Sequence, residues 1–390
     1  QAPLHFVTLE QAGAWIRDGE LSPVTLVEAC LARVQQLEPR HHAFITLTAD
    51  TARDQAREAE REIRAGHWRG PLHGIPIAHK DVFMTRGVRT TAHSALLKDW
   101  VPDSDAAAVE RLARAGAISL GKTACHEFAF GTPGADEAFP SARNPWHTDH
   151  MPGSSSSGSG AAVAAGMVMA ATGTDTGGSV RHPAAACGIV GMKPTYGRVS
   201  LHGVLPLAPS LDHVGPLTRT VKDNALMLQV LAGHDPRCAA SLDREPPDFC
   251  ARIGQPVAGL RVGIPRRFLE TVGHAGEVLD AFAQAQRVLL SLGMELVDVD
   301  PPGLDDAFDT ANLIIAYEAY RYHAQTLQRS PEKLGAPLRQ RLERGRGTGV
   351  ADYEAALARA GALRRTYAEL FERHVDVIAS PGREAPAETM

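Results

Sequence analysis

Apolar residues recur at helical spacing through Val24, Val27, Leu31, Val34 and Leu37, behind Ser22-Pro23, a cap residue followed by proline at the first helical position. The spacing predicts a helix there. A second amphipathic stretch, residues 49–65, is dense in Glu and Arg at i, i+3 and i+4, the pattern of a solvated helix face rather than of a binding patch. Residues 1–65 thus read as a helical packing layer. From about residue 70 to 233 the chain shifts to Gly, Ser, Ala and Thr, and short apolar runs at 75–78, 117–120 and 189–192, bounded by turn residues, predict strands. Helical patterns lie between them. One is capped by Ser104 or Asp105 and runs to Ala115; the other, of very small residues from 158 to 171, must pack closely on its neighbours.

Residues 234–256 are polar, contain proline and read as a connector. Beyond them, strands at 260–264 and 295–299 flank a helix at about 275–292, long helices cover 305–328 and 352–374, and 375–379 reads as a last strand. The pattern predicts one α/β body over residues 1–390. Its parts are the N-terminal helices (1–65), a core (70–233) and a C-terminal α/β part (257–390), around a twisted mixed β-sheet covered by helices on both faces.

Composition narrows the function classes. With 44% hydrophobic and 22% charged residues the chain has the balance of a folded globular protein, not a disordered one. Lys and Arg number 40 against 45 Asp and Glu, so the net charge of −5 offers no field that would gather nucleic acid or anionic lipid. The five cysteines are odd in number and show no C-x-x-C spacing, which fits a reducing compartment; the expected location is cytoplasmic. Residues 1–6 show no basic-then-apolar leader and no run of 18 apolar residues occurs, so no membrane association is expected.

Three generic motifs fail on context. Residues 116–123 satisfy G-x-x-x-x-G-K-[ST], but a phosphate-binding loop needs its strand before the first glycine and its helix after the lysine; here a helix ends at Gly116 and the strand lies inside the motif. Among 17 histidines the best-spaced pair is His147 and His150, while His126-Glu127 is followed by Phe130 where a zinc-binding H-E-x-x-H would need its second histidine. No G-x-S-x-G elbow surrounds Ser155, Ser159 or Ser179.

A different serine chemistry remains. Residues 152–160, Pro-Gly-Ser-Ser-Ser-Ser-Gly-Ser-Gly, run directly into an Ala-rich helix and so are not a linker. Downstream, residues 173–181, Gly-Thr-Asp-Thr-Gly-Gly-Ser-Val-Arg, place Ser179 after two glycines whose backbone can present successive N–H groups to an anion. Ser179 is therefore a candidate acyl-accepting nucleophile. A water-exposed lysine would be neutral in only about 0.04% of molecules at pH 7, so a lysine base must be buried. Lys80, at the end of the apolar strand 75–78, qualifies best; its competing role is an ion pair with the adjacent Asp81.

These residues resemble the amidase signature family. Residues 74–81 (Gly-Ile-Pro-Ile-Ala-His-Lys-Asp), the serine-rich 153–159 and the block 173–184 match its signature elements, followed by residues 187–200 and 210–216. The resemblance runs from about residue 5 to 235. It implies the amidase signature fold and a Ser-cisSer-Lys triad: Ser179 as nucleophile, Ser155 as relay across a cis Ser154–Ser155 bond, and Lys80 as base. It also implies an oxyanion hole from Thr176, Gly177, Gly178 and the Ser179 N–H, with Asp175 and Arg181 bracing the loop. Should Lys80 not serve, His79, His126 and His182 are the alternative bases. Ser154 and Ser157 stand where the family usually has glycine, which implies a stiffer loop. Family members usually continue beyond the equivalent of 375–381, so the C-terminal part here is shorter than usual.

The expected activity is hydrolysis of an amide-type C–N bond, in an amide, anilide or carbamate, without metal or organic cofactor. A carboxybiuret-type substrate is equally compatible. The expected partner is that small molecule, with no direct nucleic acid contact and with self-association left open. A stand-alone amidase ranks first. Two alternatives stand behind it: the glutamine-hydrolysing subunit of a tRNA-dependent amidotransferase, whose partner chains would take the RNA, and a non-catalytic P-loop or scaffold protein.

Overall fold

The structure is a computed structural model that describes residues 3–134, 137–301 and 303–390. Gln1 and Ala2, the first two positions of the N-terminal stretch considered above, lie outside the described residues, as do 135 and 136. The first part of the chain contains α1 (Leu9–Arg17), α2 (Pro23–His41), β1 (Phe44–Leu47), α3 (Ala49–Arg64), β2 (Pro76–Lys80), α4 (Ala107–Arg114) and β3 (Ile118–Thr123). It continues with α5 (Ser157–Ala164), β4 (Ala170–Asp175), α6 (Arg181–Cys187), β5 (Val190–Gly191), β6 (His213–Thr218) and α7 (Val221–Leu231). After the connector come β7 (Arg261–Ile264), α8 (Arg266–Val272), α9 (Gly276–Ser291), β8 (Glu295–Asp298), α10 (Leu304–Arg329), α11 (Ala336–Arg346), α12 (Val350–Arg373) and β9 (Val377–Ile378).

The main sheet has the order β1-β3-β2-β4-β6-β5. β2 runs parallel to β3 and β4, and the outer pairings are antiparallel, which makes the sheet mixed as expected. Helices cover both faces. Ile75 and Ile77 join a core with Leu9, Ile16, Leu112, Leu228 and Leu231, contributed by α1, α4 and α7. Ala78 belongs to a second core with Val27, Leu31 and Val34 of α2, Ala52 and Ala56 of α3, and Ala161 and Ala162 of α5. The neighbours Ile77 and Ala78 thus point to opposite cores, as the pleat requires. The strands near 260, 295 and 375 appear as β7, β8 and β9, but they form a separate parallel sheet of order β8-β7-β9. No helix among the described residues is long and apolar enough to cross a membrane.

The local expectations hold where a cap or a strong period fixed them. Ser22 Oγ accepts the N–H groups of Val24 (3.1 Å) and Thr25 (3.4 Å) at the start of α2. The helix expected over 158–171 is instead α5, a turn at Gly166 (φ +72°) and β4. Alanine prefers helix locally, but this segment is buried between β2 and β6 and gains a ladder on each side, which outweighs propensity. α4 begins without a side-chain cap, because Asp105 Oδ1 accepts the Arg86 N–H at 2.7 Å instead. β1 is a four-residue half-exposed edge inside the stretch expected to be helical, and β6 contains Gly215 and Pro216, so neither carries a strand signal.

The close packing expected for α5 is present at Gly158. A Cβ there would stand 2.4 Å from Ala43 O, 2.5 Å from Ala124 N and 2.6 Å from Ala124 O, all backbone atoms that cannot swing aside. Gly158→Ala is therefore expected to destabilise the fold by about 1–3 kcal/mol through overpacking, read as a lower urea midpoint. An unchanged midpoint would show that α5 has room to shift.

Candidate active site

β2 is one of the two central strands of the sheet and ends at Lys80, whose side chain is fully buried. Its Nζ donates to Ser155 Oγ at 2.8 Å and to Thr174 Oγ1 at 2.7 Å on neighbouring β4. Among the described residues Lys80 makes no ion pair. Burial lowers its pKa to about 8, against a partial upward pull from Cys125, Asp212 and Asp175. Asp81, the competing partner, turns away. It accepts from Thr91 N at 2.9 Å and Thr91 Oγ1 at 2.5 Å, and faces Lys122 Nζ at 3.5 Å. The ion pair considered for Lys80 is thus made by Lys122, the lysine of the discounted phosphate-loop motif. Lys122 lies inside β3, fully buried, and also donates to Phe83 O (2.6 Å) and Thr90 Oγ1 (2.7 Å).

The serine-rich segment crosses beneath the turn between β4 and α6. Ser155 is buried and Ser179 half-buried, while Gly177 on the same turn as Ser179 is exposed. Ser179 Oγ accepts from Ser155 N at 3.4 Å and from Ser154 Oγ at 3.3 Å. The structure thus brings Lys80, Ser155 and Ser179 into one file. It differs from expectation at one point: among the described residues every peptide bond is trans, the Ser154–Ser155 bond included. Trans is the form a non-proline bond takes unless its surroundings outweigh about 3–4 kcal/mol. In this arrangement the backbone N–H of Ser155 meets Ser179 Oγ, and its hydroxyl faces Lys80.

Asp175 organises the turn that carries Ser179. Its carboxylate accepts from Gly178 N (2.8 Å), Val180 N (3.2 Å) and Arg181 N (3.3 Å), and pairs bidentately with the Arg181 guanidinium at 2.9 and 3.0 Å. Burial pushes the Asp175 pKa up, but Arg181 and these N–H groups outweigh it and hold it at about 2. The bracing expected of Asp175 and Arg181 is therefore direct. Gly178, expected to offer its N–H to an oxyanion, gives it to Asp175 in this structure. Thr176 Oγ1 donates to Asp212 Oδ1 at 2.6 Å. Burial drives the alternative bases to the neutral side: His79 and His126 to about 3, and His182 below its ordinary value. His79 meets Thr172 Oγ1 at 3.4 Å rather than a serine of the file.

Several contributors lie inside the matched blocks without the sequence indicating the contacts they make. Thr174 and Asp212 are single polar residues inside strand and loop, and only the register of β4 against β2 and β6 brings them in. Ser154, expected only to stiffen the loop, points its hydroxyl at Ser179. The adjacent pairs Ala92-His93 (φ 49° and 59°) and Phe128-Ala129 (φ 46° and 58°) are left-handed without glycine and joined by Phe128 N–Ala92 O at 2.9 Å. Such conformations cost about 1–3 kcal/mol each and persist where the surroundings over-determine them. This strained turn follows His126, whose N–H donates to Ser155 O at 3.2 Å, and its Phe128 ring packs edge-on to His323 of α10 at 4.5 Å. His147 and His150 lie on an exposed loop with Nδ1 atoms 3.0 Å apart, and no group of three metal-ligating side chains is found among the described residues.

Comparison with known proteins shows which family the chain resembles. Residues 25–390 match the Amidase family. A glutamyl-tRNA(Gln) amidotransferase subunit from Roseiflexus sp. (strain RS-1) is 42% identical, over 97% of this chain and 82% of that protein. Among solved structures, a chain from a vestigial protein complex bearing on the origins of an s-triazine catabolic enzyme superposes with TM-score 0.92 at 32% identity, covering 98% of this chain and 83% of its own. The native peptide amidase of Stenotrophomonas maltophilia gives 0.83 at 33% identity, over 99% and 88%.

Removing one partner of a buried pair leaves the other charge uncompensated, at a cost of about 3–5 kcal/mol. Lys122→Met is therefore expected to lower stability by about that amount in denaturant unfolding, and the double variant Lys122→Met/Asp81→Asn to recover part of it. Equal midpoints for Lys122→Met and the parent chain would remove the Asp81–Lys122 pair as a structural element.

Proposed function

The chain belongs to the amidase family and is a hydrolase of carbon–nitrogen bonds, and on that premise we propose that it works through an acyl-enzyme on Ser179. One observation carries the proposal: a fully buried lysine amine with no carboxylate in bonding reach among the described residues, 2.8 Å from the hydroxyl of the residue that also touches Ser179. With its pKa near 8, Lys80 is neutral in about a tenth of molecules at pH 7, roughly two hundred times more than an exposed lysine.

In the proposed sequence Ser155 Oγ gives its proton to neutral Lys80 and takes the proton of Ser179 as Ser179 Oγ attacks the carbonyl carbon. In the structure it is the Ser155 N–H, not its hydroxyl, that meets Ser179 Oγ, so the Ser155 Oγ–Ser179 Oγ bond used in this step must form when substrate arrives. The N–H groups of Thr176, Gly177 and Ser179 receive the oxyanion, and Gly178 joins them if its bond to Asp175 loosens. As the tetrahedral intermediate collapses, the C–N bond breaks and Ser155 returns a proton to the departing nitrogen, replenished from Lys80. Water then repeats the steps on the ester.

Residue patterns alone favour a stand-alone amidase over a glutamine-hydrolysing subunit. The 42% identity to an amidotransferase chain over most of both proteins supports the second more strongly, and we favour a primary carboxamide of the glutamine type as substrate, with partner subunits taking any tRNA. The likeness to a peptide amidase keeps the stand-alone reading in view. Ammonia release from glutamine, with and without co-expressed partner chains, separates the two from turnover of anilides and carbamates by this chain alone. Ser179→Ala should abolish whichever activity is found; turnover of anilides or carbamates with none of glutamine would reverse the order again.

The base makes a further prediction. Below its pKa Lys80 is protonated and cannot accept, so kcat/KM should fall about tenfold per pH unit below about 8 and level off above it. Lys80→Ala should remove this limb together with most of the rate. A plateau already reached by pH 6.5, or a folded Lys80→Ala variant with near-normal turnover, would exclude the lysine base.

A further inference from the structure

α10 meets the nucleophile region at two positions one turn apart. The side chain of Ile315 ends beside Gly177, its Cδ1 3.6 Å from where a Cβ on that glycine would stand. Three residues on, and so on the same face of the helix, Glu318 reaches the loop that precedes β6. Its Oε2 accepts the Ser210 N–H at 3.1 Å, and its Oε1 accepts the Ser210 hydroxyl at 2.5 Å. Oε1 also accepts the Tyr353 hydroxyl of α12 at 2.6 Å, and the Tyr353 ring stacks on Tyr317 at 4.2 Å.

The loop held by Ser210 is a compact unit. Asp212 Oδ2 accepts Leu207 N (3.0 Å) and Ala208 N (3.1 Å), the Leu211 and Asp212 N–H groups both close on Ala208 O at 2.8 Å, and Asp212 Oδ1 holds Thr176. A continuous line of hydrogen bonds and short backbone therefore runs from α12 through Glu318, Ser210 and Asp212 to Thr176, three residues before Ser179. Glu318 is half-buried and, among the described residues, makes no ion pair; three neutral donors satisfy it. Half-burying a carboxylate without a cation costs desolvation that an apolar side chain would not incur, and an interaction needed only to pack α10 on a loop does not call for it. A carboxylate is the side chain that can accept all three donors at once.

We propose that Glu318 is a positioning residue for the oxyanion-binding turn: it pins the 207–212 loop to α10 and α12, and through Asp212 fixes where Thr176 presents its backbone. The proposal rests on the reading of Ser179 as nucleophile. It makes the C-terminal helices part of the catalytic geometry, since a shift of α10 would move Ile315 over Gly177 and Glu318 against Ser210 together.

The test uses the full chain and a p-nitrophenyl butyrate ester as acyl donor, following nitrophenolate release. In Glu318→Gln the amide must turn its NH2 group toward one of the three donors, so kcat is expected to fall about tenfold to hundredfold with KM within about threefold and the thermal midpoint nearly unchanged. Tyr353→Phe, which keeps the stacked ring, should give a smaller fall in kcat of the same kind. If the line acts as one unit, adding Ser210→Ala to Glu318→Gln should cost little more than either change alone. A folded Glu318→Gln with kcat within about twofold of the parent overturns the proposal, as do losses confined to KM or losses that multiply in the double variant. Ser179→Ala run alongside separates the two failures: ester hydrolysis that survives it defeats the nucleophile assignment itself, whereas hydrolysis that requires Ser179 but is indifferent to Glu318 defeats only this inference.

Discussion

Burying one amine without a counter-ion is the constraint to which the rest of the site answers. An ammonium group in an apolar interior is unfavourable unless paired, and a protein can relieve this either with a carboxylate or by letting the group lose its proton. This chain uses both solutions within one sheet. Lys122 on β3 faces Asp81, while among the described residues the amine of Lys80 on the adjacent β2 bonds only to the hydroxyls of Ser155 and Thr174. Burial lowers the pKa of both to about 8, and Lys80 is the one whose contact leads toward Ser179: its Nζ meets the Ser155 hydroxyl, and the Ser155 N–H meets Ser179 Oγ. By occupying Asp81, Lys122 keeps that carboxylate off Lys80. The motif that resembles a phosphate loop is in this way part of the electrostatic isolation of Lys80.

The nucleophile turn is held from beneath and from the side. Asp175 gathers three backbone N–H groups and the Arg181 guanidinium, and Asp212 secures Thr176. The strained pairs at 92–93 and 128–129 are joined to each other by Phe128 N–Ala92 O and lie next to His126, whose N–H meets Ser155 O. Packing thins toward the C-terminal part. α8 and α9 contribute no buried residue, α12 only Ala356, and Phe308, Val288, Leu290 and Leu292 stand largely exposed. α10, which reaches Gly177 through Ile315, and α11 differ from these: Ile315, Ala319, Leu338 and Leu342 join the main core, so the helix beside the candidate site is anchored to the body that carries it.

The sequence by itself determined the elements whose signal is local. The cap and proline before α2, the apolar run of β2, the alternation around 260–299 and the long helices near 305 and 352 all appear where their periodicity puts them. The family resemblance carried by the blocks at 74–81, 153–159 and 173–184 pointed to Lys80, Ser155 and Ser179, while the glycines before Ser179 marked a turn able to present N–H groups because that feature depends on residue types at a fixed short spacing. Tertiary structure decided what depends on partners distant in the chain. Whether the alanine-rich stretch after Gly166 became helix or strand turned on the ladders offered by β2 and β6. Which lysine paired with Asp81 turned on the register of β3, and the partners of Thr176 and Ser210 turned on how β6 and α10 dock. No local pattern encodes these choices, since each is the sum of a burial cost and a hydrogen bond made by residues far apart along the chain, and only the folded chain brings both sides of that sum together.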